Sequence, residues 1–406
     1  MARTPSQPDR LPLRRNATGT SILIMTLALL AIGAVMVPSA VASLKVVDAH
    51  WWAQVSNRHI VFAVAAAVVL LTFWRLDYRW LAAKSFRLPL AGAMPTFALA
   101  LLLISVGLGV LVLFVGHKVG DYARWLRVPV GGVELSVQPS EFIKLSLIVF
   151  LAAWLAHPAT KPRSGWTFLS AAMVTGACVG VIVTQDFGTA AVVGLSAAVT
   201  MILAGVPWYY LGAFIPPAAG VFWLLVVHVP YRWSRFEAMM DPWGTYHTKQ
   251  SLIAILSGGW WGKGLGYGTF KQGYLPERST DYIFSTLCEE LGLFGGALLI
   301  CLLVTWMFQV RRAALRAPDR FGLALAGGVG FVVAMQSLLH ISVNLAVYLP
   351  PKGIGLPFVS AGGTSMLIMA AAVALIVSVT SRSRAPGDEL SQTGSTAAAI
   401  AAKPAE

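Results

Sequence analysis

MPTFALALLLISVGLGVLVLFV, Met94 to Val115, runs for 22 residues without one charged side chain. The hydrocarbon core of a bilayer takes about 20 apolar residues of helix to cross, so this stretch reads as a membrane span. It is one of ten such stretches. The others are Ser21–Ser43, Ile60–Trp74, Phe142–Ala156, Thr167–Thr184, Thr189–Gly205, Tyr209–Val229, Tyr282–Phe308, Phe321–Leu345 and Phe358–Ser378. Lipid offers no partner for a backbone amide, so each span must satisfy its own hydrogen bonds as a helix. The short alternating segments of a closed barrel are absent from the sequence. The expected fold is all-α: a polytopic integral membrane protein with ten transmembrane helices and a large outer loop between the seventh and eighth.

Composition agrees. The 406 residues are 57% hydrophobic and only 12% charged, with a mean hydropathy of +0.72, whereas soluble domains carry about 25% charged residues. The first span is longer than a secretory signal's apolar region and lacks a small-residue cleavage pattern, so it reads as retained. Residues 1–19 and 383–406 are polar, or rich in Ala, Ser, Thr and Gly, and read as disordered cytoplasmic tails around one membrane domain over 20–382. No repeat of convincing period is present.

Lys and Arg positions set the orientation. Arg3, Arg10, Arg14 and Arg15 precede the first span. Arg75, Arg79, Lys84 and Arg87 follow the second, Lys161 and Arg163 the fourth, Arg311, Arg312, Arg316 and Arg320 the eighth, and Arg382 and Arg384 the tenth. With ten alternating spans all fall on one side, and both termini are cytoplasmic. The net charge of +13 is then mostly a topology signal and implies no nucleic-acid partner. Cys178, Cys288 and Cys301 lie in apolar spans without metal or redox spacing and read as small buried hydrophobes.

Three outer segments are too long or too polar to be mere connectors: 117–141, 230–281 and 349–364. The second ends in YLPERSTDYIF, Tyr274 to Phe284. Asp281 there suits a helix N-cap, or proton transfer for a substrate whose phosphate is held by Arg232, Arg235, Lys263, Lys271 and Arg278 of the same loop. Glu277, after Pro276, is either a turn residue or part of that site. Asp186 interrupts an apolar run and must face protein or a cavity, as a structural acid or as part of a site. Glu141 and Lys144 share a helical face three residues apart, as an ion pair or a head-group clamp, with Ser140 able to cap the helix. Arg124 and Arg127 face solvent or head groups. WWGKGLGYG, Trp260 to Gly268, lacks the strand and the Lys-Ser/Thr of a phosphate loop, and its glycines shape a tight outer turn. LPPKGIGLPFVSAGGTSM, Leu349 to Met366, predicts irregular backbone lining a cavity or buried in protein, with Asn344 and Lys352 supplying polar groups. His340 reads as a satisfied core histidine in preference to a relay.

Four blocks resemble the SEDS family (shape, elongation, division and sporulation proteins, of FtsW/RodA/SpoVE type) over nearly the whole chain. They are ARWLRV with VQPSEFIKLSL, DFGTA, the run from DPW through QSLIAILSGGWWGKGLGYGTFKQGYLPERSTDYIFSTLCEELGLFGG, and LPPKGIGLPFVSAGGTS. The resemblance implies a peptidoglycan glycosyltransferase polymerising lipid II on the outer face of the bacterial cytoplasmic membrane. Asp281 matches the essential aspartate; Glu277, Lys271 and Arg232 match other outer-loop positions; Glu141, Lys144 and Asp186 match two further blocks. Arg124, Lys352 and Ser360 complete the substrate-binding set. Three departures stand out: Thr184-Gln185-Asp186 where the family has Gln-Pro-Asp, Ala361 in its Ser-Tyr-Gly-Gly, and Tyr246-His247-Thr248 where it has Gly-Tyr-Gln. Lys352 in PPKG leans toward the division branch. The expected partners are lipid II, an undecaprenyl-pyrophosphate-linked glycan, a class B penicillin-binding protein, and other divisome or elongasome membrane proteins. A divalent cation, Mg or Mn, is a candidate cofactor, and no nucleotide is needed. The rival readings are a lipid-linked precursor flippase and a non-catalytic scaffold for a transpeptidase.

Overall fold

A computed structural model describes residues 16–41, 57–88, 92–119, 122–130, 133–213, 246–269, 277–347 and 354–382, with isolated positions at 216, 220 and 223. Its helices are α1 (Ala17–Val41), α2 (Asn57–Phe73), α3 (Thr96–Val115), α4 (Pro139–Leu155), α5 (Gly165–Val183), α6 (Phe187–Leu203), the short α7 (Trp208–Gly212), α8 (Tyr246–Ser257), α9 (Ile283–Leu315), α10 (Arg320–Asn344) and α11 (Gly363–Ser381). Of these, α1, α3, α5, α9, α10 and α11 are long and apolar enough to cross a membrane, and 58–73 and 187–203 are shorter apolar helices. Nine of the ten expected spans thus coincide with a helix, while the seventh, Tyr209–Val229, lies mostly outside the described residues.

The bundle sorts its helices by burial. Nearly every side chain of α4 is buried, including Glu141 and Lys144, and α11 is almost as enclosed. A helix apolar all round belongs in the centre. Around this pair, α2 packs on α11, α3 on α4, α10 on α6 and α9, and α1 on α9. The outer helices present large apolar side chains outward, among them Ile24, Val64, Leu103, Phe114 and Leu298. Cys178 and Cys288 are buried as expected, but Cys301 is exposed on this outward apolar surface, because helical spacing turns it away from the buried Leu299 and Leu303.

The all-helical expectation is corrected in two places. β1 (Ser85–Leu88) and β2 (Gly92–Pro95) pair antiparallel. β3 (His117–Val119), β4 (Tyr122–Val130) and β5 (Val133–Val137) form a three-stranded antiparallel sheet. Both lie between helices, where the ban on open sheet edges in hydrocarbon does not apply.

The Gly-rich stretch has a specific task. α9 breaks at Gly292, whose φ of 72° is left-handed, and the loop after α8 repairs the break. Lys263 and Gly264 donate backbone N–H groups to the carbonyls of Glu289 and Glu290 at 3.0 and 2.9 Å, while Leu293 and Phe294 donate to Gly259 and Trp260 at 2.9 and 3.2 Å. A Cβ on Gly262 would collide with the Glu290 carbonyl, and one on Gly292 with that of Trp260. Only glycine allows so close a backbone approach at positive φ. Below it, the buried Glu289 pairs with Lys263 at 2.8 Å, and Ser39 of α1 donates to Glu290.

The opposite end of the bundle is tied by ions. Arg79 pairs with Asp319 at 3.1 Å and Arg382 with Asp77 at 3.3 Å. Asp319 also accepts from the Tyr78 hydroxyl at 2.7 Å and caps α10 through Gly322. Two of the cations that set the expected orientation are therefore structural as well.

Candidate active site

Six pieces of chain converge around Asp281: β4, the N-termini of α4 and α6, the turn before α9, α10 at Gln336, and the irregular run 354–362 with the start of α11 that follows it. They enclose a cavity of about 140 Å³ whose walls include Asp281, Thr280, Glu141, Thr189, Gln336 and Ser365.

The turn bearing Asp281 is held through its backbone. Glu277, at φ 50°, accepts at its carbonyl from the amides of Thr280, Asp281 and Tyr282. Asn344, fully buried at the end of α10, donates to the Asp281 carbonyl at 3.0 Å, and its side-chain oxygen accepts from the amide and hydroxyl of Ser285 at 3.0 and 2.6 Å. From the other side, Ser360 donates to the Thr280 carbonyl at 2.7 Å and accepts from the Leu356 amide at 2.7 Å, and the Ala361 amide reaches Ser279 at 2.8 Å. The Asp281 backbone is thus fixed from two segments, and its side chain remains at the cavity wall.

Asp281 is not the cap. The N-cap of α9 is Tyr282, and no side-chain bond closes it. The carboxyl is half-buried. Burial is the main cause that lifts it from the ordinary aspartate range to about 6, with Glu277's charge adding, Thr280 opposing, Asp186 adding and Arg124 opposing. A carboxylate near neutral in a cavity is suited to proton transfer.

The other expected residues divide. Asp186 caps α6, accepting from Gly188 and Thr189 amides at 2.8 and 3.3 Å and from the Thr189 hydroxyl at 3.0 Å. It is a structural acid whose charge reaches Asp281. Glu141 and Lys144 form a buried pair at 2.7 Å, with Ser365 donating to Glu141 at 2.9 Å. Lys144 is therefore turned onto Glu141, and Glu141 carries the pair to the cavity wall. Ser140 does not cap α4: Gln138 occupies that position, without a side-chain bond. Arg124 is half-buried on β4 beside Trp125, a cavity residue. Glu277 is exposed and accepts from the Thr280 hydroxyl at 3.1 Å. Ser360 lines the cavity with its hydroxyl committed to the backbone. Arg232, Arg235, Lys271 and Lys352 lie outside the described residues.

Sequence reading missed Gln336. It is 8% exposed, lines the cavity, and its Oε1 has no hydrogen-bond partner among the described residues. The available signal was spacing: Gln336, His340 and Asn344 recur every four residues on α10 and make one polar stripe on an apolar helix. His340 is half-satisfied, with Nδ1 2.8 Å from the Ile354 carbonyl, which can only accept, and Nε2 without a partner among the described residues. Among the described residues no group of three or more His, Cys, Asp and Glu is placed to hold a metal ion, so this set does not by itself fit a divalent cation.

The apolar-faced helices and their arrangement define a multi-pass membrane protein. Residues 20–385 match the FtsW/RodA/SpoVE family, described as cell cycle proteins, and the chain belongs to that family. It is 34% identical over 391 residues to the probable peptidoglycan glycosyltransferase FtsW of Halomonas elongata, spanning 93% of this chain and 94% of that one. With the protein of the same name from Thioalkalivibrio sulfidiphilus it shares 35% over 372 residues, 88% of each chain. Among solved structures, a chain from work on the structural coordination of polymerization and crosslinking by a peptidoglycan synthase complex superposes with a TM-score of 0.69 at 23% identity, over 88% of this chain and 96% of that one. The rod shape determining protein RodA of Thermus thermophilus gives a TM-score of 0.61 at 24% identity, over 88% and 95%. These last two show the shared fold.

Proposed function

We infer that this chain is a peptidoglycan glycosyltransferase, the activity its relatives carry in their names, and propose that it polymerises lipid II with Asp281 as general base. The observation that carries the assignment is Asp281 itself: a half-buried carboxyl at a cavity wall, raised to about 6 by burial and by its acidic neighbours, and not engaged as a cap.

In the proposed reaction the acceptor's GlcNAc 4-hydroxyl attacks C1 of the donor MurNAc. The hydroxyl proton passes to Asp281. The bond from C1 to the pyrophosphate oxygen breaks, and its electron pair leaves with undecaprenyl pyrophosphate. One displacement from the face opposite an α-linked pyrophosphate gives a β-1,4 linkage with inversion. Pyrophosphate leaves readily as an anion, so one carboxyl suffices where a glycosidase uses two. Arg124, with Arg232, Lys271 and Lys352 of the outer segments, would stabilise charge developing on the diphosphate. No step requires a nucleotide, and none is routed through a metal.

This reading places Asp281 on the outer face of the cytoplasmic membrane, with ten spans, both termini inside, and polar tails at 1–19 and 383–406. The relatives named FtsW and Lys352 in PPKG favour the division branch. A class B penicillin-binding protein is the proposed crosslinking partner, in keeping with the polymerising and crosslinking complex whose chain shares this fold.

The test is purified protein with labelled lipid II. Glycan chains from wild type, and none from Asp281→Ala or Asp281→Asn, are expected. Equal output from all three would remove Asp281 as the base.

A further inference from the structure

The helix ends that build the Asp281 site have a counterpart at the far end of the bundle. α4 and α6 start at the Asp281 cavity and α10 ends there. Their opposite ends, with the start of α5, surround a second cavity of about 710 Å³ lined by Thr160, Lys161, Arg163, Ser164, Gly205 and Arg320. α10 alone has 25 residues, so the two cavities lie on opposite membrane faces.

This cavity has three cations and no acid among its lining residues. Elsewhere on the same face Arg79 and Arg382 are joined to Asp319 and Asp77; Lys161, Arg163 and Arg320 have no such ion pair among the described residues. A Cβ on Gly205 would lie 3.7 Å from the Arg320 guanidinium and 3.6 Å from the Pro162 ring, so the cation is brought against the cavity wall. The positive end of α5 opens here, and its N-cap, Ser164, makes no side-chain capping bond. Independently, Thr160 is 5% exposed, and its hydroxyl has no partner among the described residues. A buried hydroxyl of this kind costs stability unless something binds it.

Aromatic residues fix the depth. Trp166, two residues after Ser164, and Trp208 and Tyr209, three and four after Gly205, are 62%, 76% and 59% exposed, and the Tyr210 hydroxyl donates to the Arg163 carbonyl at 3.3 Å. Exposed Trp and Tyr mark the head-group level of a bilayer. A basic pocket between helix ends at that level meets lipid phosphates, and such pockets bind anionic head groups.

We propose that this cavity is a binding site for the phosphodiester head group of an anionic membrane lipid, held by Lys161, Arg163 and Arg320 with the Thr160 hydroxyl as a neutral donor. The proposal needs the membrane assignment but not the glycosyltransferase reading.

The test uses the full chain purified in detergent, with retained lipid counted by native mass spectrometry and thermal unfolding followed during titration. Phosphatidylglycerol should be retained and should raise the unfolding midpoint, and phosphatidylcholine of equal chain length should do neither. The triple variant Lys161→Gln, Arg163→Gln, Arg320→Gln should bind phosphatidylglycerol at least tenfold more weakly, whereas Arg311→Gln with Arg312→Gln should bind as wild type does. Thr160→Val loses no hydrogen bond seen in the protein, so it should fold normally, unfold unchanged in phosphatidylcholine, and bind phosphatidylglycerol several-fold more weakly. Undiminished binding by both the triple variant and Thr160→Val would overturn the proposal. So would an equal midpoint shift from phosphatidylcholine, or a full shift from inorganic phosphate alone, which would mark a free-anion site.

Discussion

Asn344 donates its side-chain amide to the backbone carbonyl of Asp281 at 3.0 Å, across 63 residues of sequence. Because the same side chain also receives both donors of Ser285, one buried amide sets the height of the Asp281 turn against α9 and α10. Its second donor bond, to the His340 carbonyl at 2.8 Å, keeps the side chain from rotating. Asn344→Leu keeps the heavy-atom count and branching of the side chain and makes none of these bonds. Each buried group left without a partner costs about 1–3 kcal/mol, so a loss of at least about 2 kcal/mol is expected. Polymerisation should fall more than lipid II binding, because the geometry of the base is what moves. Asn344→Asp keeps the acceptor for Ser285 but sets a buried carboxylate against the Asp281 and His340 carbonyls, and should lose at least as much. Thermal unfolding with a gel assay of glycan length reads both.

The electrostatics of Asp281 make the rate depend on pH. A base must be ionised, so activity should rise with pH through about 6 and level off above it. Removing like charge in Glu277→Gln makes ionisation easier and moves that limb to lower pH. Arg124→Gln removes an opposing cation and moves it higher. The stability sign runs opposite to the activity. With the folded pKa raised above the unfolded one, the native state holds the extra proton between about 4 and 6, so stability falls as pH rises through that window and the cost is fully present above it. Asp281→Asn should therefore be inactive, yet melt above wild type at pH 7.5 and level with it near pH 4. A pH-rate profile that ignores both Glu277→Gln and Arg124→Gln would mean another group is titrating.

Much of this architecture could be read directly from residue order. Apolar runs such as Met94–Val115 mark helices because lipid permits little else, and nine of the ten coincide with a helix, with bounds that differ by up to seven residues. The small sheets went unread for a different reason: ARWLRVPV carries arginines and a proline that look like a polar loop, although the Gly131-Gly132 pair between it and residues 133–137 is a local hairpin signal. Asp281 was visible as an isolated acid at the mouth of an apolar helix, but propensity favoured a cap. Competition for the turn decides this, since the Glu277 carbonyl takes the amides of Thr280, Asp281 and Tyr282 and leaves the carboxyl out of the capping scheme. The glycines of WWGKGLGYG showed a turn; that the turn mends a broken helix at Gly292 is a tertiary fact no spacing encodes.

The Glu141–Lys144 pair gives a prediction about stability as opposed to chemistry. Both ends are buried, with the ammonium 2.7 Å from the carboxylate. Lys144→Met leaves Glu141 as an uncompensated buried charge beside the cavity, a cost of about 3–5 kcal/mol. Adding Glu141→Gln should restore most of that loss, because two matched neutral groups need no counter-charge. If the pair serves only to support the site, the double variant should also regain polymerisation. If Glu141 itself contacts substrate, stability returns and activity does not. A thermal shift and lipid II turnover on the two variants beside wild type separate these outcomes.

Gln336 supplies the last prediction, and its value lies in an opposite movement of stability and function. Its Oε1 faces no partner among the described residues although the side chain is 8% exposed and lines the Asp281 cavity. An unmet buried carbonyl costs about 1–3 kcal/mol, a cost that a bound hydroxyl or amide N–H of the sugar would relieve. Gln336→Leu removes the unmet group at similar volume, so the unfolding midpoint should hold or rise. If the carbonyl serves the acceptor sugar, the KM for lipid II should increase about tenfold with a smaller change in kcat. Gln336→Glu also has an acceptor, but it adds a further like charge at the Asp281 cavity; it should shift the acid limb of the pH profile upward. A Leu variant that gains stability and keeps wild-type KM would assign Gln336 to packing alone.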